Sequence, residues 1–512
     1  MSTSTAEQIP VGPEPAEPSG SGDESHIDRA LLAVASVVVL GTIMSILDTT
    51  VVNVAIRTLA LRFNTTLPTI QWVATGYTLA LAAVIPLSGW IADRFGTKRL
   101  YMISIALFMC GSALSGLAWS AGSIIFFRVL QGLGGGMIMP AGMTILTRAA
   151  GPQRIGRVMS IIGVPMLLGP ILGPILGGWL VADVSWRWIF FINVPIGIAA
   201  LALALRILPR DVAAHDQKLD LAGFLLLSPG LALAIYGLAE TNGAGGFGSA
   251  KVIVPLLAGI ALLALFVWHA LRSSHPLVDL RLFKDRTFAT SSTMLVLVVI
   301  SVFGSFLLLP LYFQTVRGVS ALQAGLLLAP QGLGAMLAMP VAGILSDRTG
   351  PGKIVPFGLL GIIAAVLWLT QIGADTSYVA TSIVLFIFGF GMGFTMMPTF
   401  TGALQSIRKE AVARASTLLN ILQQTGASIG TAVLTVILAS ALTANLGAGA
   451  NVAGTGSGSG PIPHHVKELM ADAFGHTFWW ALGLLIAAFV FSAMLPKRKP
   501  QGASAGPPIP MA

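Results

Sequence analysis

The residues of this chain best placed to do chemistry are an aspartate and an arginine inside apolar segments. Asp48 lies in Leu47-Asp48-Thr49-Thr50-Val51-Val52-Asn53-Val54-Ala55, the one acidic residue placed well inside such a segment. Arg128 opens Arg128-Val129-Leu130-Gln131-Gly132-Leu133-Gly134. A charge there is costly unless it is paired, protonated or turned to water. A carboxylate so held can take up and release a proton, and a nearby arginine favours its ionised form. The alternative is a polar pin between helices. Depth allows the two to meet. Asp48 stands 8 residues before Ile56, where its segment ends, and Arg128 stands 8 residues after Ser120, just before its own begins. At a rise of about 1.5 Å per residue, antiparallel segments put both roughly 12 Å below one surface.

The elements that position them are membrane helices. Hydrophobic residues make up 55% of the chain and charged residues 10%, with a mean hydropathy of +0.85. Soluble proteins carry about 25% charged residues. Apolar segments long enough to cross about 30 Å of hydrocarbon are expected near 31–56, 72–92, 100–118, 121–147, 156–182, 188–208, 219–238, 252–271, 288–313, 321–346, 354–372, 378–400, 412–441 and 474–496. That is an all-α polytopic membrane protein of fourteen spans; twelve would require two segments to be something else. Of 29 Lys and Arg residues, this arrangement puts 22 on one side, 6 on the other and Arg128 within. The positive-inside rule then makes the first side cytoplasmic, with both termini there. The net charge of +9 reflects that orientation against anionic lipid, and nucleic acid need not be invoked. Residues 1–26 are polar, acidic and Pro/Ser-rich and read as a cytoplasmic tail without a secretory signal. Cys110 is the lone cysteine, so no intrachain disulfide forms.

One loop recurs. Gly89-Trp90-Ile91-Ala92-Asp93-Arg94-Phe95-Gly96-Thr97-Lys98-Arg99 returns as Gly343-Ile344-Leu345-Ser346-Asp347-Arg348-Thr349-Gly350. Pro86, Gly89, Asp93, Arg94 and Gly96 each find the same residue type 254 positions on. A strict register points to a duplicated membrane unit. The loop resembles the one between the second and third spans of the major facilitator superfamily, G-x-x-x-D-R-x-G-x-[KR]-[KR]. The resemblance implies that Gly89, Asp93, Arg94, Gly96, Lys98 and Arg99, with Asp347 and Arg348, form a latch holding the two halves together in the outward-facing state. Asp93 is expected to accept hydrogen bonds from the third span's N-terminus and from basic side chains of another loop.

Other segments are similar to one branch of that superfamily. The run from Leu47 to Ala55 matches L-D-x-T-[VI]-V-N-x-A of the drug:proton antiporter family with fourteen spans, the EmrB/QacA type. Arg128-Val129-Leu130-Gln131-Gly132 matches the superfamily's R-x-x-Q-G, which implies a part in proton transfer. In the fifth segment, Gly169-Pro170-Ile171-Leu172-Gly173-Pro174-Ile175-Leu176-Gly177-Gly178 contains the exporters' antiporter motif with Pro170 added. Its glycines at 169, 173 and 177 make a close-packing stripe, with Gly178 beside it, and Pro170 and Pro174 bend the helix. Such a stripe also suits packing in any membrane bundle. Trp186-Arg187-Trp188-Ile189-Phe190-Phe191-Ile192-Asn193-Val194-Pro195 follows as an interfacial anchor.

The second half lacks the ionisable pair, since the position matching Arg128 is Phe386. It offers Met392, Phe394, Met396, Asn420 and Gln424 instead, which with Asn53 and Gln131 are candidates to line an adaptable cavity. Plain helix packing is the competing account of most of them. His464 and His465 lack a thiolate or carboxylate frame for a metal. No Gly-rich phosphate loop ends in Gly-Lys-Ser/Thr, and no cofactor is expected. The expected layout is a cytoplasmic tail 1–28, a six-helix bundle 29–210, two extra spans and a linker 211–286, a second bundle 287–498 with an external loop 442–473, and a tail 499–512. The expected function is proton-coupled export of lipophilic compounds, cations included, across the cytoplasmic membrane, with protons and lipids as the other partners. An exporter of an endogenous lipid or metabolite is the alternative. The Gly-Pro stripe argues against an uptake permease, and Asp48 and Arg128 argue against an inert scaffold.

Overall fold

Glycine and short polar turns divide the chain into long helices. In the computed structural model, residues 29–65, 67–150, 172–173, 176–209, 219–240, 248–274, 276–405, 407, 411–446 and 463–495 are described. The first four helices are α1 (Arg29–Arg62), α2 (Leu67–Phe95), α3 (Thr97–Gly116) and α4 (Ala121–Ala150). A π-helical turn at Leu180–Val184 leads to α5 (Trp188–Phe191) and α6 (Asn193–Ile207). Next come α7 (Leu221–Glu240) and α8 (Ala250–Arg272), then α9 (Arg286–Thr315) and α10 (Ala321–Thr349). The last four are α11 (Pro351–Leu369), α12 (Tyr378–Gln405), α13 (Val412–Leu446) and α14 (His464–Ser492).

Among the described residues, thirteen helices are long and apolar enough to cross a membrane. The fifth expected segment, 156–182, falls mostly outside them. Helix ends run past the expected spans where apolar faces continue. The largest difference is α14, which starts at His464 because Met470, Ala471 and Ala473 are already buried against its neighbours. The segment expected to be an external loop to 473 is therefore helical from 464 onwards.

Local chemistry sets the boundaries. Gly96 (φ 92°, ψ 146°) separates α2 from α3, and Gly350 (φ 84°, ψ 154°) separates α10 from α11. Both angles lie where a Cβ is strained, and the two glycines are 254 residues apart. The recurrence in sequence is thus a recurrence in backbone geometry. Ser320 and Gln323 cap α10 reciprocally. Asp285 caps α9 by accepting from the Phe288 N–H at 2.7 Å.

In the first half, α4 is wedged between α2 and α3, α1 packs across it, and α6 lies against α1 and α3. A Cβ on Gly132 would meet the Tyr77 carbonyl oxygen at 2.5 Å, and one on Gly136 the Leu81 carbonyl oxygen at 2.5 Å, so α2 and α4 touch backbone to backbone. The second half repeats this, with α12 between α10 and α11 and α9, α13 and α14 alongside. The halves meet through α13, which lies against α2 and α4. The hairpin α7–α8 packs by α7 on α2 and α13, while α8 exposes Val254, Leu257, Leu265 and Trp268. Asp220 closes its base by accepting from the Gly223 and Leu277 N–H groups and pairing with His269 at 2.8 Å.

Candidate functional site

The polar centre of the first half lies where α1, α4 and α6 converge. Arg128 and Asp48 are each about 1% exposed. The Arg128 guanidinium donates to Asp48 Oδ2, to Gln131 Oε1 at 2.8 Å and, through Nε, to the Val73 carbonyl at 3.1 Å. Gln131 Nε2 donates to Asp48 Oδ1 at 2.8 Å, and Asn193 Nδ2 donates to the same oxygen at 3.2 Å. Asn193 also donates to Ser112 Oγ at 3.0 Å, whose hydroxyl donates to the Phe190 carbonyl. The Arg128 guanidinium lies 4.1 Å from the centre of the Tyr77 ring, within cation–π range. Every described partner of Asp48 is a donor, so this arrangement fits an ionised carboxylate.

Asn193 and Tyr77 were not singled out from sequence. Asn193 belongs to the segment read only as an aromatic anchor, and Tyr77 carries no charge that would mark it within an apolar run. Gln131, expected on a cavity wall, belongs instead to the Asp48 cluster and is fully buried. It lies one turn from Arg128 on α4, on the face turned to α1.

A separate cavity of about 290 Å³ lies between the halves. Its first-half wall carries Thr42, Ser45, Thr49 and Thr50 of α1. Met392, Met396, Asn420 and Gln424 line the other side, joined by Met397 and Gln423. Phe394 does not: it stacks on Phe390 at 4.9 Å and meets Phe357 edge-on. It sits two residues from both Met392 and Met396, which puts it on the far face of α12. Asn53 lies in α1, but its side chain is outside the described residues. Asp48 is not on the cavity wall. Tyr77 stands between them, its hydroxyl 3.4 Å from Ser45 Oγ.

Of the expected latch residues, Gly89 and Asp93 lie where α2 meets α13. Asp93 Oδ1 lies 3.7 Å from Arg148 of α4, and Oδ2 lies 3.5 Å from Arg414 of α13. Ser88 Oγ and Thr417 Oγ1 are 3.1 Å apart across the same seam. A Cβ on Gly89 would reach Thr417 Oγ1 at 3.1 Å. Asp93 does not cap α3, whose first turn has no side-chain cap; Arg148 donates there instead, to Thr97 Oγ1. Lys98 donates to the Leu205 and Leu208 carbonyls at the end of α6, whereas Arg99 is exposed. Arg94 is half-buried and Arg348 is exposed; the Asp347 side chain is outside the described residues.

Of the fifth-segment stripe, Gly173 and Gly177 face α1. A Cβ on Gly173 would fall 2.0 Å from Thr50 Oγ1, and one on Gly177 3.1 Å from Val51. Gly178 faces open space. Gly169, Pro170 and Pro174 lie outside the described residues. His464 lies 2.6 Å from the exposed Asp375 carboxylate, and that contact holds the carboxyl below its usual range.

A family model described as Major Facilitator Superfamily matches residues 38–431. The chain belongs to the major facilitator superfamily. It is 43% identical to the "Multidrug resistance protein B homolog" of Mycobacterium tuberculosis (strain ATCC 25618 / H37Rv), over 95% of each chain. It is 32% identical to "Multidrug export protein EmrB" of Escherichia coli (strain K12), over 81% of each. It is 33% identical to the "Tetracenomycin C resistance and export protein" of Streptomyces glaucescens, over 83% of this chain and 79% of that one. Two solved superfamily structures share the fold. The human organic anion transporter MFSD10 superposes with a TM-score of 0.60 at 16% identity, over 90% of this chain and 99% of the other. The proton:xylose symporter XylE superposes with a TM-score of 0.61 at 15% identity, over 90% and 94%. This facilitator protein is therefore a multi-pass membrane transporter of the drug-export branch that its sequence motifs resemble.

Proposed function

We propose that this facilitator protein exports lipophilic drugs or toxic compounds across the cytoplasmic membrane in exchange for protons. The observation that carries the reading is the buried Asp48–Arg128 pair standing beside, and not within, the cavity between the halves. The names of the relatives support drug export. Two bundles, 29–210 and 287–498, would rock about the cavity, with 211–286 supplying the extra hairpin. Asp48 carries the proton and Arg128 sets its charge state. Opposed binding of proton and substrate couples the two fluxes by linkage. The scheme makes and breaks no covalent bond in the substrate, so it describes a carrier rather than an enzyme.

The end bearing Asp93, Arg148 and Arg414 is cytoplasmic in this reading, because basic residues gather there. Reporter fusions at Gln217 and Arg281 are expected to read cytoplasmic, and one at Gly456 external. An external signal at Arg281 removes the fourteen-span orientation. Coupling is tested with Asp48→Asn in proteoliposomes. Substrate-induced proton release is expected to stop, and undiminished release assigns the coupling to another residue.

A further inference from the structure

Among its described lining residues, the cavity between the halves holds no formal charge: none is Asp, Glu, Lys, Arg or His. The fifth segment is only partly described, but residues 158–182 contain none of these five types either. Asp48 and Arg128 face each other inside the first half, screened from the cavity by Tyr77.

The walls are instead soft and apolar. Five methionines line them: Met139, Met339, Met392, Met396 and Met397. Phe303 and Phe306 stand beside them with ring centres 5.5 Å apart. Thioethers and rings adapt to flat apolar bodies of differing outline. The polar groups divide by side. On α1, Thr42, Thr49 and Thr50 turn their hydroxyls back to carbonyls of their own helix, and Ser45 contacts Tyr77. On α13, Asn420 donates through Nδ2 to the Ser416 carbonyl at 2.8 Å and lines the cavity. Gln423 and Gln424 line the cavity beside it. Free hydrogen-bonding capacity is thus concentrated in neutral amides on α13.

An ion entering such a site loses its hydration and meets no countercharge, and aromatic faces restore only part of that loss. A neutral molecule loses little and can satisfy the amides. We propose that the cavity selects an uncharged lipophile: a flat apolar body held by methionine and phenylalanine, with one or two hydrogen-bonding groups turned to Gln423 and Gln424. This assignment rests on the exporter reading and narrows it, since a lipophilic cation would be a poor substrate.

A matched pair of probes tests it. N-methylphenanthridinone is neutral and carries a carbonyl; N-methylphenanthridinium is the same tricycle with a fixed positive charge. Gradient-driven export of both is measured in proteoliposomes holding the full chain. The neutral probe is expected to move at least about tenfold faster, the equivalent of one hydrogen bond to a buried amide. Equal or faster export of the cation overturns the assignment and leaves the exporter reading standing. Export of neither overturns both. Gln424→Glu supplies the missing countercharge and is expected to raise export of the cation about tenfold. Unchanged handling of the cation by that variant, confirmed folded by an elution profile and thermal midpoint in detergent matching those of the parent, overturns the placement of Gln424 on the substrate.

Discussion

Asp48 accepts from three donors, and this makes its replacement by asparagine more than the loss of a titratable proton. An amide offers one acceptor oxygen and two N–H bonds. Its nitrogen must turn towards either Arg128 or the Gln131 and Asn193 amides. Leaving a buried partner charge uncompensated costs about 3–5 kcal/mol, so Asp48→Asn is expected to lower stability as well as coupling. Tyr77→Phe separates the two effects. The ring stays on Arg128, while the hydroxyl facing Ser45 is lost. One neutral hydrogen bond is worth about 1 kcal/mol, so substrate affinity should change by no more than about fivefold. Substrate-induced proton release should fall much further if Tyr77 couples the two sites, because its hydroxyl meets Ser45 on the cavity wall while its ring lies on Arg128, the partner of Asp48. Wild-type proton release per substrate moved would exclude Tyr77 from the coupling. The charged pair was legible in sequence because charges in an apolar run are conspicuous, and helix direction supplied their depth. Asn193 and Tyr77 were not. Neutral polar side chains inside a span are common, and only the fold shows which of them face a carboxylate.

Helix contacts were legible where they depend on a missing side chain. The stripe in the fifth segment meets α1 at Thr50 and Val51, one turn from Asp48. Gly173→Val would drive a Cβ into Thr50, with the Thr50 backbone 3.2 Å away as a second obstacle. Overpacking of this kind costs about 1–3 kcal/mol. A lower thermal midpoint and weaker proton coupling are expected, because Thr50 lies two residues from Asp48 on α1. Gly178→Ala should leave both unchanged, since nothing lies within 4 Å of its Cβ. A destabilised Gly178→Ala, or a silent Gly173→Val, would contradict this packing. The paired loops were readable for the same reason: Gly96 and Gly350 hold angles that other residues avoid. Face assignment on α12 was less readable. Phe394 and Met392 look equally suited to a cavity in sequence, and two residues of helical rotation separate them.

At the scale of the molecule, alternating access requires that some contacts exist in only one state, and a contact that joins the two halves, such as Asp93 to Arg414, is a candidate for one. The two arginines of the Asp93 cluster differ in kind. Arg148 belongs to α4, in the same half as Asp93, and their pairing at 3.7 Å need not change when the halves rock. Arg414 belongs to α13, in the other half, and its 3.5 Å approach must break when this end opens. The Arg414 side chain is 27% exposed, which limits such a pair to about 1 kcal/mol. That corresponds to roughly a fivefold change in the balance between closed and open forms. Spin labels on Arg99→Cys and Arg348→Cys would report the opening of this end, in a Cys110→Ala background because Cys110 is exposed. Asp93→Asn and Arg414→Gln should both shift the distance distribution towards the longer, open form. Arg148→Gln should remove only the link to α4 and to Thr97, leaving the distribution near that of the parent. If Arg148→Gln opens the molecule as far as Arg414→Gln does, the cluster braces the ends of one bundle. If none of the three shifts the distribution, closure rests on the Ser88–Thr417 contact and the close approach at Gly89, and Asp93 is not the latch.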